Sequence, residues 1–287
     1  MKNRYVLLSA VRNEEKYVEF TLKSIVNQTV KPLRWIIVSD NSNDRTDEIV
    51  QRYATDNSFI RLIKGTGDPK RNFGSQIRAI NFGYSMLDID TYDFIGNVDG
   101  DVSFKSDYYE QVMSVLENEP SIGLAGGFIW EPHRSGFREW PYNSRSAVAH
   151  AIQLFKKDVF EAIGGYKQLK YGGADWYAEV MVRSKGFTVK GLQEFPVYHH
   201  KPILSGEGVL RGAFKQGLMD YSIGSHPVFE VVKCAIRVTA RPYVLYALWR
   251  LSGYFLSYIK RAKREASQEF IRAIQKEQKA KLRVLQR

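Results

Sequence analysis

The sequence is poor in several things, and each shortage narrows what it can be. It has one cysteine, Cys234, so no intrachain disulfide can form, and a reducing compartment fits. The opening MKNRYVLLSAVRNEE turns charged too soon to hold a secretory signal, so the body of the chain is expected to be cytoplasmic. No stretch reaches the ~20 apolar residues of a membrane span. Pro242 to Ile259 comes nearest, and Arg250 interrupts it. There is no internal repeat, no low-complexity tract and no nucleic-acid-binding motif. A nucleic-acid partner is therefore not expected, although the net charge is +11.

What the sequence does have is alternation. Apolar runs of strand length, Tyr5–Val11, Arg34–Ser39, Ile60–Ile63 and Tyr92–Val98, are separated by segments of helical spacing around residues 18–26, 46–53 and 72–87. This predicts an α/β fold, a mostly parallel sheet flanked by helices. Ligands of such sheets lie beyond the carboxyl ends of the strands, where Arg12, Asp40, Asp99 and Asp101 fall. Further on, strands are expected at 123–130, 150–155 and 187–192, with helices at 157–163 and 176–184. From about residue 210 the pattern becomes helical and basic. The expected division is residues 1–210 as the sheet domain and 211–287 as a C-terminal helical extension.

The stretch GNVDGDV, residues 96–102, places two carboxylates one residue apart across a glycine. Like charges that close are costly to bury without a cation. On a strand-like segment Asp99 and Asp101 would point the same way, and Gly100 would let the backbone approach a ligand. Two oxygen ligands suit Mg²⁺ or Mn²⁺ and leave coordination sites for a diphosphate. A plain surface turn is the alternative. For Asp40 the alternative is a cap on the helix beginning near Arg45. His133, His150 and His226 read as structural, with no acid at useful spacing.

Several segments, in order and spacing, resemble the family 2 glycosyltransferases of the GT-A fold: LLSAVRNEEKYVEFTLKSIVNQT, WIIVSDNSNDRTDEIV, KRNFGSQIRAINFG, FIGNVDGDV, GGYKQLKYGGADWYAEVMVRSKGFTV and VYHH. The likeness covers roughly residues 4 to 201. It implies a GT-A-type nucleotide-binding sheet and a role for each matching position. Asp40 would bond the nucleotide base, with Ala10, Arg12 and Glu14 on the loop beside base and ribose. Arg71 and Asn72 would lie near the base and diphosphate. Asp99 would touch ribose or sugar, and Asp101 would bind the metal. His199 or His200 would close the metal or diphosphate site. Asp175 would be the general base. The chain departs from the family at Ala174-Asp175, where Glu-Asp is common, so Asp175 is the sole carboxylate there. The Gln-x-x-Arg-Trp signature of processive synthases is absent, which argues for a non-processive enzyme.

The resemblance implies an inverting, metal-dependent transferase (Mn²⁺ or Mg²⁺). It would move a sugar from a nucleotide-diphosphate donor to a hydroxyl of a carbohydrate or lipid-linked acceptor, in cell-envelope polysaccharide or glycolipid synthesis. A sugar-phosphate nucleotidyltransferase is one alternative, but SAVRNEE lacks the glycine-rich phosphate loop it needs. A non-catalytic nucleotide-sugar-binding protein is the other. In the extension, residues Lys260 to Arg287 hold ten Lys or Arg and three Glu, a net +7. A helix over 242–259 lying on an anionic membrane surface, with Lys233, Arg237 and Arg241 as a basic stripe, accounts for charge and aromatics together. That reading puts the protein at the inner face of the cell membrane. A helical hairpin packed on the sheet domain is the alternative.

Overall fold

The computed structural model describes residues 4–65, 73–201, 208–236 and 244–285. These form two compact units. One comprises the described residues up to Gln168 together with those from Ala174 to Lys201. The other comprises Leu169–Gly173 together with those from Gly208 onward.

The first unit opens with β1 (Tyr5–Val11), α1 (Val18–Val26), β2 (Arg34–Ser39), α2 (Thr46–Asp56), β3 (Ile60–Lys64), α3 (Phe73–Ser85) and β4 (Phe94–Asn97). It continues through a short β5 (Val102–Ser103), α4 (Tyr108–Asn118) and the hairpin of β6 (Ile122–His133) and β7 (Gly136–Glu139). After a 3₁₀ turn at His150–Ile152 come β8 (Leu154–Lys156), α5 (Lys157–Ala162), α6 (Ala174–Ser184) and β9 (Thr188–His199).

The sheet runs β3-β2-β1-β4-β8-β6-β9-β5, with β7 beside β6. The pairs β3·β2, β2·β1, β1·β4 and β6·β9 are parallel, while β8 and β5 run against their neighbours. Val6, Leu7, Leu8, Ile36, Ile37 and Val38 are almost wholly buried as unbroken runs, the pattern of strands covered on both faces. The expected mostly parallel α/β sheet is present. Residues 150–155 are a correction. A 3₁₀ turn precedes a three-residue strand, and that strand runs antiparallel to β4.

The second unit contains α7 (Val209–Ser222), α8 (Pro227–Ile236), α9 (Val244–Ile259) and α10 (Gln268–Leu285). Helices α7 and α9 approach so closely that a Cβ on Gly253 would lie 2.2 Å from the Phe214 carbonyl oxygen. One on Gly217 would lie 2.0 Å from that of Arg250. Only glycine permits backbones this near.

Arg250 does not project from the apolar helix. Its guanidinium is buried, with Nη2 2.6 Å from Asp220 Oδ2 and Nε 3.0 Å from Glu230 Oε1. Lys233 Nζ lies 3.1 Å from Asp220 and 2.6 Å from Glu230. This corrects the reading of Lys233 as part of a basic stripe on the membrane surface, because two buried acids draw it inward. Arg237 and Arg241 lie outside the described residues.

Candidate active site

The carboxyl ends of β1 and β2 carry two loops that are laced together. Asn13 and Asn41 adopt left-handed backbone (φ 55° and 59°), a conformation asparagine tolerates. Asn13 Oδ1 accepts the Asn43 backbone NH at 2.9 Å, and the Asn13 NH donates to Ser42 Oγ at 3.2 Å. On these loops Arg12 Nη1 lies 3.9 Å from Asp40 Oδ2, with Asp40 buried. Asp40 does not cap the next helix. Its N-cap position is Arg45, and Asp44 just before it accepts the Thr46 NH at 3.0 Å and the Thr46 hydroxyl at 2.6 Å. Ala10 is the penultimate residue of β1. Glu14 receives Lys201 Nζ at 2.8 Å, tying this loop to the end of β9.

Between β4 and β5 the chain makes a turn, not the strand-like segment expected around Asp99 and Asp101. Gly100 makes the turn possible, since a Cβ there would come 2.8 Å from Val11 Cγ1. Thr21 pins the far end: its hydroxyl donates to the Val102 carbonyl at 2.8 Å and accepts the Val102 NH at 3.0 Å. The two carboxylates still converge. Ligand atoms of Asp99, Asp101 and His199 all lie within 4.8 Å of one another, and His199 Nε2 is 3.4 Å from Asp101 Oδ1. His199 Nδ1 donates to the Lys201 carbonyl, which turns Nε2 toward the two carboxylates as the ligand atom.

The two carboxyls differ in their electrostatics. Burial, aided by the charges of Asp99 and Glu14, pushes the Asp101 carboxyl up to about 6 against the pull of His199 and Lys201. Its Oδ1 is buried with no hydrogen-bond partner among the described residues. Burial also opposes ionisation of Asp99. There the His150 hydrogen bond, the charges of His150 and His199, and the Asn97 amide prevail, and its pKa falls below the usual carboxylate value. Two oxygens and one imidazole nitrogen, one oxygen lacking a hydrogen-bond partner among the described residues, fit a hard divalent ion.

His150 is the residue the sequence reading missed. Its Nδ1 lies 3.5 Å from Asp99 Oδ1, and Asn97 Nδ2 donates to its carbonyl at 2.7 Å. Burial lowers its pKa, but Asp99 and then Asp175 outweigh this and raise it. Its acid partner is 51 positions away in the chain, so no local spacing could have pointed to it. The charge of Asp175 acts on His150 and on Tyr166. Asp175 sits in the first turn of α6, with Oδ1 accepting the Trp176 NH at 2.8 Å.

His200 faces elsewhere. It stacks on Phe20 with ring centroids 4.0 Å apart and contacts Ser103 Oγ through Nε2 at 2.8 Å. Arg71 and Asn72 lie outside the described residues.

Residues 8–172, more than half of the chain, match the sequence model of "Glycosyl transferase family 2". The chain belongs to this family. This family 2 protein is 24% identical over 174 residues to the glucosyl-dolichyl phosphate glucuronosyltransferase of Haloferax volcanii, covering 53% of this chain and 52% of that one. It is 28% identical over 200 residues to an uncharacterized glycosyltransferase of Methanocaldococcus jannaschii, covering 63% and 61%. It therefore spans about half to three-fifths of the length of these curated relatives. Among solved structures it resembles the mannosyltransferase PcManGT of Pyrobaculum calidifontis in complex with GDP-Man and Mn²⁺. That likeness has a TM-score of 0.59 and 15% identity, over 91% of this chain and 76% of that one. It also resembles S. aureus TarS 1-349 in complex with UDP-GlcNAc, with a TM-score of 0.58 and 15% identity, over 94% and 79%. The likeness in shape shows the GT-A fold of the family 2 protein.

Proposed function

We propose that this protein is an inverting, metal-dependent glycosyltransferase. It moves a sugar from a nucleotide-diphosphate donor to a hydroxyl of a carbohydrate or lipid-linked acceptor, in cell-envelope polysaccharide or glycolipid synthesis. The observation that carries this is the Asp99–Asp101–His199 cluster, with Arg12 and Asp40 on loops of the same sheet edge and His150 and Asp175 nearby. The solved neighbours named with GDP-Man and Mn²⁺ or UDP-GlcNAc, and the relative named for dolichyl phosphate, support it.

In this reading Asp101 and His199 hold Mn²⁺ or Mg²⁺, with Asp99 as a third ligand or against the donor's ribose or sugar. A divalent ion there supplies positive charge to the leaving diphosphate. Asp40 and Arg12 take the nucleotide base, and Ala10 and Glu14 line the same loop beside the ribose. Arg71 and Asn72 approach the base and diphosphate, as in the family pattern. Asp175 accepts the proton of the acceptor hydroxyl, a contribution typically of ~10²–10⁴ in rate. The bond from Asp175 Oδ1 to the Trp176 NH holds the carboxylate in one orientation. His200, engaged by Ser103 and Phe20, supports His199 as the imidazole ligand. Residues 1–210 form the catalytic domain, and 211–287 bring it to the inner membrane face where a lipid-linked acceptor resides.

Thermal shift with UDP, GDP and dTDP, each with and without Mn²⁺, tests the donor site, and transfer from the matching nucleotide sugar tests the chemistry. One nucleotide should stabilise the protein, and more so with Mn²⁺. Absence of any nucleotide shift, or turnover untouched by Asp101→Asn, would defeat the proposal.

A further inference from the structure

Helix α9 has one charged residue, Arg250, and keeps it inside, where Asp220 and Glu230 neutralise it. Ala247, Gly253, Tyr254 and Ser257 share that buried side. The other side carries Leu245, Leu248, Trp249, Ser252, Leu256 and Ile259 at spacings of three and four, within an arc of about 100°. These side chains are exposed: Leu248 is 53%, Trp249 48% and Ile259 77% accessible. Ser252 is the only polar member, and its hydroxyl donates to the Trp249 carbonyl at 2.8 Å, so it brings no open donor to the face. Isolated exposed leucines need no explanation, but an uncharged apolar stripe running the length of a helix marks a docking surface.

The occupant is indicated by what lies next to the stripe. Lys260, Arg261, Lys263 and Arg264 follow directly, four cations in five residues, and the chain from Lys260 onward carries a net +7. An apolar helix face flanked by cations matches anionic headgroups over acyl chains. A second copy of this +11 chain is a poorer match, because its flank repeats the same sign. Spanning is not the mode: 16 residues reach about 24 Å, short of a ~30 Å hydrocarbon core. Among the described residues, no helix is long and apolar enough to cross a membrane.

We propose that α9 lies in the plane of an anionic bilayer surface. Leu248 and Trp249 enter the acyl boundary, and Lys260 and Lys263 sit among the headgroups. This deepens the membrane-face part of the proposed function and rests on that reading for its biological setting. Its physical basis is the surface of α9 and the cations that follow it.

The test uses the full chain. It is sedimented with vesicles of phosphatidylcholine alone and of phosphatidylcholine with one-third phosphatidylglycerol, at low and high salt. Binding should favour the anionic vesicles and weaken with salt. Leu248→Gln/Trp249→Gln should lower the partition coefficient at least about tenfold on anionic vesicles, given two large apolar side chains withdrawn. Lys260→Gln/Lys263→Gln should lower it about thirtyfold on anionic vesicles and leave the weak neutral binding unchanged. Both variants should keep the wild-type melting curve and the wild-type nucleotide–Mn²⁺ shift. Failure of the wild type to bind anionic vesicles, or full binding by Leu248→Gln/Trp249→Gln, overturns the proposal. So does a wild-type dimer in sedimentation velocity that the same variant dissolves, which would assign the face to a second copy. Loss of the nucleotide shift with vesicle binding intact would instead count against the transferase reading.

Discussion

Replacing Asp101 by asparagine should stabilise the metal-free protein while disabling it. The Asp101 carboxyl is 10% exposed and shifted from 3.8 to about 6. At about 1.4 kcal/mol per unit, holding it ionised costs the fold roughly 3 kcal/mol as an upper bound. The sign follows from proton linkage. The folded state binds this proton more tightly than the unfolded state, so stability falls as pH rises from about 4 to about 6 and stays low above that. Asparagine keeps the shape and removes the charge. In EDTA at pH 7.5 the variant should gain about 1–3 kcal/mol, or roughly 3–8 °C in melting temperature. Near pH 4, where the wild-type carboxyl is also neutral, the gain should vanish. With Mn²⁺ and the matching nucleotide the order should reverse, because only the wild type offers both carboxylates beside His199 Nε2. The measurement is a set of melting curves for both proteins at two pH values, with EDTA and with Mn²⁺ plus nucleotide. A variant that melts below wild type in EDTA at pH 7.5, or that gains as much from Mn²⁺, would refute the reasoning.

Asp175→Asn should lower the rate of sugar transfer by ~10²–10⁴ while leaving nucleotide affinity unchanged, as stopped-assay kinetics and thermal shift would report. Arg250→Met should destabilise the second unit by about 3–5 kcal/mol, because Asp220 and Glu230 would be left buried without their guanidinium; chemical denaturation of the full chain reads this. Adding Asp220→Asn should recover much of that loss, because Lys233 still neutralises Glu230. Gly253→Ala should cost about 1–3 kcal/mol in the same assay, because its methyl meets the Phe214 backbone oxygen rather than a side chain that could move aside.

The parallel part of the sheet was legible because strands buried on both faces must be apolar throughout, as Tyr5–Val11 and Arg34–Ser39 are. The placement of Arg12, Asp40, Asp99 and Asp101 at one edge followed from strand direction. What could not be read is what depends on distant partners. His150 gains its significance from Asp99 and Asp175, and Lys201 from Glu14, 187 positions away. Arg250 looked like a blemish in an apolar run because Asp220 and Glu230 lie on other helices. The GNVDGDV stretch was misread in shape though not in outcome. Period-two logic suggested strand geometry, whereas a tight turn against Val11 brings the two carboxylates together.

The stitching between the loops that follow β1 and β2 has a thermodynamic consequence. Because Asn13 and Asn43 bind each other's loops directly, Arg12 and Asp40 are mounted on a single frame rather than on two independent hinges. A ligand arriving there has little local freedom left to quench, so more of its contact energy remains as net affinity. Undoing one stitch, as Asn13→Ala would, loosens both mounts at once, and the loss should surface as an entropic penalty in calorimetry rather than as missing contact enthalpy.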